Sequence, residues 1–258
     1  IPLNVSYGRS GDQDGFFYFF DTPTPGVINN RGFEGFAATP QASLPGGLYK
    51  ANIQVSLSSP EPGAVVRYSL DGSIPTIETG RDYTGPIEIN DTTVIRARAF
   101  VPGLQPSDTI THTYVMKTYY TMPVVCLTMD PEELWDPQTG IYATGLYEDG
   151  TPIDLTAYKN IPFRDPSPTY RLVGKNARRG HAEMFLSDTH EVLFSQDVRA
   201  GLIGQYSLDM PQKSFKVMAK AAFGERYFNA SLFEDRPFDQ YKSFVLRVSG
   251  NDAVWTRM

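Results

Sequence analysis

Apolar and polar residues alternate with a period of two in several short stretches of this chain. Asn52-Ile-Gln-Val-Ser-Leu57 puts Ile53, Val55 and Leu57 on one face. Val65–Leu70, Pro86-Ile-Glu-Ile89, Thr93–Phe100 and Thr109–Val115 repeat the pattern. A period of two is what a half-buried strand produces, because successive side chains point to opposite faces. Turn signals separate the stretches: Pro60-Glu-Pro-Gly63, Asp71-Gly72-Ser73 with Pro75, Asn90-Asp91 and Pro102-Gly103. Six or so strands at this spacing, within about 70 residues, predict a small antiparallel sandwich. Its expected core is Ile53, Val55, Leu57, Val66, Tyr68, Leu70, Ile87, Ile89, Val94, Ile95 and Tyr114. The tip Asp71–Thr76 could be a ligand loop or a tight turn. The turn is preferred, since Asp71 can accept from amides ahead of it, Gly72 supplies positive φ and Pro75 stops further pairing.

Flanking this block the pattern is different. Residues 1–32 hold the aromatic run Phe16–Phe20, read as one buried strand, and the Pro/Gly/Asn cluster Thr22–Asn30, a linker signal. Gly11-Asp-Gln-Asp-Gly15 has too few oxygens for a calcium loop and reads as a hairpin turn. From Met122 onward, Met122–Thr128 predicts a buried strand. Asp130–Asp136 predicts a short helix with Asp130 as N-cap, Pro131 in the first turn and Glu133 in the capping-box position. Gly140-Ile-Tyr142 is expected to resume extended structure. Arg179–Phe185, Val192–Ser195 with Gln196–Ala200, Pro211–Lys220 and Phe244–Val248 read as further strands, with a glycine-bearing turn over Arg199–Tyr206.

Two segments resemble known families. Tyr68–Thr76, Tyr83-Thr-Gly-Pro-Ile87, Thr93–Ala99 and Pro106-Ser107 are similar to the chitobiase/hexosaminidase C-terminal, fibronectin-III-associated repeat. That resemblance implies an immunoglobulin-like accessory module without catalytic residues. Met122-Pro-Val-Val, Gly140-Ile-Tyr142, the block Arg199-x-Gly201…Ser207…Pro211-x-Lys213-Ser-Phe-Lys216, Ser231-Leu-Phe233 and Leu246–Asp252 resemble the first half of a CotH-type, kinase-like spore-coat and surface protein. It implies a kinase-like α+β fold with ATP and Mg²⁺ as the cofactor pair. Ser6-Tyr7-Gly8-Arg9 and Thr24-Pro-Gly-x-x-Asn29 are similar to the end of a lamin-tail-like module. The expected fold class is therefore mainly β: an immunoglobulin-like antiparallel sandwich followed by an incomplete kinase-like α+β region. The expected boundaries are 1–32, 33–118 and 119–258.

Composition narrows the partners. The chain has 258 residues, 41% of them hydrophobic, and a net charge of −6, which gives no electrostatic attraction for nucleic acid or an anionic membrane surface. No stretch approaches a membrane span. The single cysteine, Cys126, excludes an intrachain disulfide and is expected to be a buried structural thiol. The chain begins and ends in what reads as mid-domain, as a piece of a longer protein would. With the resemblances, this implies an exported bacterial surface protein, located outside the cell, whose partners are a protein substrate or neighbouring surface proteins. A glycan bound through exposed Tyr83 or Tyr49 of the sandwich is a further expectation.

Candidate chemistry is sparse. Phosphoryl transfer needs a cation on the phosphates, a metal site and a positioned Asp. Lys213 and Lys216 follow a glycine-bearing turn and with Arg199 are the candidate nucleotide-binding residues. In an ideal strand Lys213 and Lys216 point to opposite faces, and Lys213 shares its face with Phe215 and Val217. A solvated sheet face explains the same lysines. No catalytic and no metal-ligating set is identified. Asn251-Asp252, the late candidate pair, reads as a helix N-cap. The truncated chain is therefore expected to be inactive, whether its parent is a kinase-like enzyme or a non-catalytic adhesion or scaffold protein. His181-Ala-Glu183 lacks the Cys pair of a zinc deaminase and is expected to be ordinary strand. Glu132, Glu133 and Asp136 read as capping and solubility, and Arg178-Arg179 as a solvated loop.

Overall fold

The computed structural model describes residues 5–11, 15–22, 24–29, 32–116, 120–153, 168–173, 175–187, 191–205, 208, 211–233 and 235–248. The chain divides into two compact units, Ile1–Thr118 and Tyr119–Met258. Asn251 and Asp252 lie outside the described residues.

Unit 1 begins with an antiparallel hairpin of β1 (Ser6–Arg9) and β2 (Phe17–Phe20). The aromatic run is only half covered, since Phe16 and Phe17 are 67% and 49% exposed while Phe20 is buried. Cover grows along the run rather than alternating: Tyr18 and Phe19 are half-buried, and the Phe19 ring packs against Phe36 at 4.9 Å. There follow β3 (Gly35–Phe36), β4 (Gln41–Ala42), β5 (Gly47–Tyr49), β6 (Ile53–Val55), β7 (Leu57–Ser58), β8 (Val65–Ser69), β9 (Arg81–Asp82), β10 (Ile87–Ile89), β11 (Thr93–Phe100), β12 (Leu104–Gln105) and β13 (Ile110–Met116). One sheet has the order β5-β13-β11-β8-β9; β6 with β10 and β4 with β7 form the facing layer. All these pairs are antiparallel except β5 with β13, which run parallel.

The alternating residues meet between the layers. Val55, Leu57, Val66, Ile87, Ile89, Ile95, Ala97, Tyr114 and Met116 form the buried core, with Ile53, Tyr68 and Leu70 packed on its edge. Each large aliphatic here contributes roughly 1.5–3 kcal/mol by leaving water. Val94 is absent from this cluster because β11 turns Ile95 and Ala97 inward, and its neighbour in sequence necessarily faces the other way. Tyr114 is fully buried, and its hydroxyl donates to the Leu44 carbonyl at 2.9 Å.

Unit 2 is built on a five-stranded antiparallel meander: β14 (Val124–Met129), β15 (Arg178–Phe185), β16 (Val192–Ile203), β17 (Ser214–Ala219) and, after the short pair β18 (Phe228–Asn229) and β19 (Gln240–Tyr241), β20 (Ser243–Leu246). The turn expected over Arg199–Tyr206 is corrected. β16 runs unbroken to Ile203, because Val198, Ala200 and Leu202 keep a period of two and each finds a partner on β17. Arg178 and Arg179 are likewise strand residues, not loop. Arg178 pairs with Glu133 at 2.5 Å and Arg179 with Asp197 at 2.6 Å.

One face of the meander buries Ala182, Met184, Phe194, Val198, Val217 and Ala219 under Phe228 and Ala230. Phe228 sits 4.9 Å from both the Phe194 and Phe244 rings, in tilted and edge-on contacts. Helix α1 (Pro131–Trp135) follows β14, with the Asp130 carboxylate accepting from the Glu132 amide at 3.1 Å. Glu133 uses Oε2 for its ion pair with Arg178. Gly140-Ile-Tyr142 is a turn rather than extended chain. The amides of Gly140, Ile141 and Tyr142 donate to the carbonyls of Asp136, Glu133 and Leu134. A Cβ on Gly140 would lie 2.6 Å from the Leu134 oxygen, so the chain can fold back on α1 only through glycine. Helix α2 (Thr169–Val173) seals the same sheet face with Tyr170 against Leu202 and Leu208. Cys126 is half-buried rather than buried, on the opposite face, opposite Glu183.

Candidate functional site

The meander, α1 and the turn after it leave a cleft of about 760 Å³ in unit 2. Leu127 and Met129 line it from β14, Trp135 from α1, Phe215 from β17, and Val245 and Leu246 from β20, with Arg247 just beyond that strand. Aromatic rings give the cleft its character. Tyr142 stacks on Phe215 with centroids 5.9 Å apart and planes 18° apart, and Trp135 meets Tyr142 edge-on at 5.0 Å. Trp135 is 56% exposed, so much of its ring is open to a visiting ligand. The Tyr142 hydroxyl donates to the Pro211 carbonyl at 2.9 Å and accepts from the Lys213 amide at 3.0 Å. These two bonds tie the turn after α1 to the segment entering β17, and so hold the cleft's shape.

The three sequence-derived nucleotide-binding candidates are not brought together. Lys213 lies on the cleft side and is buried. Its ammonium donates to the Leu208 carbonyl at 2.7 Å and stands 4.0 Å above the Tyr170 ring and 5.1 Å from that of Tyr142. A carbonyl dipole and two ring faces together keep the cation there. Lys216 is exposed on the other face of β17. Arg199 shares that face and donates to the Ala177 carbonyl at 2.6 Å. Gly201, two residues on, has its Cα side pressed against Ala177, where an added Cβ would come within 3.0 Å. Arg199-x-Gly201 thus seats the Ala177 segment on the sheet.

The face opposite the cleft carries polar side chains that sequence reading left as ordinary strand. His181 Nδ1 lies 2.8 Å from Asp197 Oδ1, and its Nε2 lies 3.0 Å from Ser195 Oγ. Burial works to raise the Asp197 carboxyl pKa, but bonds from His181 and Arg179 outweigh it and hold the group below its ordinary value. The signal was available: His181 and Asp197 are cross-strand partners once β15 and β16 are put in register. Trp135 and Tyr142 were also passed over, because only the fold brings a helix end, a turn and β17 to one cleft.

In unit 1 the tip at Asp71 is a turn. Asp71 Oδ1 accepts from the Ser73 amide at 3.0 Å and the Ser73 hydroxyl at 2.6 Å, and Gly72 has φ 89°. These bonds, the hydroxyl's foremost, lower the Asp71 pKa. From inside, buried Arg96 donates to the Gly72 carbonyl at 2.9 Å. Residues 44–113 match the sequence profile of the chitobiase/beta-hexosaminidase C-terminal domain. No curated protein and no solved structure matches the chain. Within the chitobiase-type module the arginines act as loop clamps. Arg96 holds the tip, and Arg98 donates to the Ser107 carbonyl at 2.8 Å. Arg67 reaches the Gly80 carbonyl at 3.4 Å and Asp82 at 2.9 Å. The two tyrosines considered for glycan are not free platforms. Tyr49 and Tyr83 are half-buried against the core, next to Tyr114 and Tyr68 respectively.

Proposed function

We propose that unit 2 binds a nucleotide in the aromatic cleft, as the N-terminal lobe of a CotH-like, kinase-like domain. In this reading the chitobiase-type module is a non-catalytic spacer in an exported bacterial surface protein. The observation that carries it is the meeting of Trp135, Tyr142 and Phe215 with Arg247 around one cleft of about 760 Å³. That volume lies within the usual range for small-molecule sites. A planar base gains from stacking on exposed indole, and a guanidinium matches phosphate oxygens in bidentate geometry. Lys213 contributes by fixing Tyr142 and Tyr170 from behind.

The residues fit a base and a phosphate better than they fit Mg²⁺. Among the described residues no group of three or more His, Cys, Asp or Glu side chains is placed to hold a metal ion. No phosphoryl-transfer step is therefore assigned to them. No described helix is long and apolar enough to cross a membrane.

The test is a titration of tryptophan fluorescence with ATP, adenosine and a chito-oligosaccharide. ATP and adenosine should quench saturably, and the quench should vanish in Trp135→Phe while Trp255 still emits. Arg247→Ala should weaken ATP about ten-fold, a loss of one charge-assisted contact, and leave adenosine unchanged. Absence of a saturable ATP quench at millimolar concentration would defeat the reading. Quenching by the oligosaccharide alone would replace it with glycan binding.

A further inference from the structure

On the sheet face away from the cleft, we infer that Ser195 is an activated nucleophile, with His181 as its general base and Asp197 as the positioning residue, reactive toward activated carboxylic esters. The three side chains form one hydrogen-bonded line across two adjacent strands. Ser195 and Asp197 are two apart on β16, so they project from the same face. His181 on β15 is the direct cross-strand partner of Asp197 and reaches diagonally to Ser195. The contacts, 3.0 Å from nucleophile to base and 2.8 Å from base to carboxylate, lie within the reach such a relay requires.

The roles follow from hydrogen-bond inventory. An ionised carboxylate only accepts, so His181 Nδ1 must carry the proton given to Asp197 Oδ1. In neutral imidazole that leaves Nε2 as acceptor, and the Ser195 hydroxyl is its donor. Asp197 is locked from its other side by Arg179, whose Nη2 and Nε lie 2.6 and 3.2 Å from Oδ2. The Arg179 guanidinium is itself placed over the Phe223 ring at 5.1 Å. Burial is graded along the line: the side chains of His181 and Asp197 are 10% and 20% exposed, while Ser195 is open to solvent. The other polar or charged groups near His181 are Thr128, its partner on β14, Glu183 two residues along on the same face, and Arg199 beyond Asp197 on β16.

The reaction is acyl transfer. Ser195 Oγ bonds to the ester carbonyl carbon as its proton passes to His181 Nε2 and the carbonyl electron pair moves onto oxygen. Collapse breaks the bond to the leaving alkoxide, which takes the proton from Nε2. Water then cleaves the acyl-Ser195 ester by the same route, regenerating the hydroxyl. Because Ser195 stands on an open strand surface, water solvates the transient oxyanion. That restricts substrates to esters with good leaving groups, such as aryl esters.

The experiment treats the whole chain with a fluorophosphonate probe, which forms a P–O bond with release of fluoride, and with p-nitrophenyl acetate. Peptide mass spectrometry should place the phosphonyl adduct on Ser195, with none in Ser195→Ala. His181→Gln should slow labelling about 100-fold or more, the usual contribution of a general base. In the unsubstituted protein the labelling rate should fall in acid, as general-base catalysis requires. Asp197→Asn should alter that pH profile while near-ultraviolet circular dichroism stays native. Absence of an adduct on Ser195, or a labelling rate indifferent to pH, would overturn the inference, and so would a folded His181→Gln protein that labels like wild type.

Discussion

Replacing Tyr142 by Phe removes one oxygen atom and keeps the ring, which isolates the tie between the α1 turn and β17. The hydroxyl makes two bonds, to the Pro211 carbonyl and from the Lys213 amide. Lys213 is buried, 7% exposed, so its amide would be left without this acceptor away from water, at a cost of roughly 1–3 kcal/mol. Pro211 is exposed, and its carbonyl can turn to solvent, adding about 0.5 kcal/mol. The expected loss is thus about 1.5–3.5 kcal/mol. With a urea m-value of about 2 kcal/mol/M, that moves the unfolding midpoint down by about 1 M at unchanged m. Both tryptophans, Trp135 and Trp255, belong to Tyr119–Met258, so fluorescence-detected urea unfolding follows unit 2 alone. Tyr142→Ala should cost more, since it also removes the stack on Phe215. A Tyr142→Phe unfolding free energy within about 0.3 kcal/mol of wild type would mean that the hydroxyl does not hold the cleft together.

Gly72→Val should destabilise unit 1 by about 1 kcal/mol or more, because a β-branched residue resists the positive φ there. Calorimetry should show one transition lowered and the tryptophan-detected one unmoved. Phe228→Ala, at a fully buried site between two rings, should cost about 3–5 kcal/mol in the urea assay. Lys216→Ala should leave both stability and the ATP titration unchanged, since the side chain is exposed on the face away from the cleft. The depressed Asp197 pKa adds stability that is present above the unfolded value of about 3.9 and lost as pH falls through the folded value. The stability gap between wild type and Asp197→Asn, measured by urea unfolding, should therefore be largest near neutrality and shrink in acid.

The sandwich was legible because its core is written at period two. Val55, Leu57, Val66, Ile87, Ile89, Ile95 and Tyr114 all point where alternation sends them, and Asp71-Gly72-Ser73 carries its own turn chemistry. The two-residue strands β4, β9 and β12 were not legible, since two residues cannot establish a period and their pairing is set by neighbours. In unit 2 the strands were found but their joints were not. Gly201 reads as a turn residue in isolation, yet it is small because Ala177 crosses the sheet there. The cleft was legible only in Lys213 and Phe215, two of its many walls. Trp135 and Tyr142 sit seven residues apart around a fold-back that Gly140 permits, and no local pattern reports where that fold-back points. The relay through His181 depended on register, which a single sequence leaves open by one residue in either direction.

The parallel pairing of β5 with β13 decides how the chitobiase-type module bears mechanical load. Gly47, Leu48 and Tyr49 lie beside Tyr114, Val115 and Met116, near the beginning and the end of the module. A pull on its two ends drags these strands past one another along their length, so their hydrogen bonds are strained together in shear. An antiparallel hairpin pulled at its open end would instead peel one bond at a time. The module therefore resists stretching through a few short bonds that must fail together, and rupture there would release both neighbouring segments of chain.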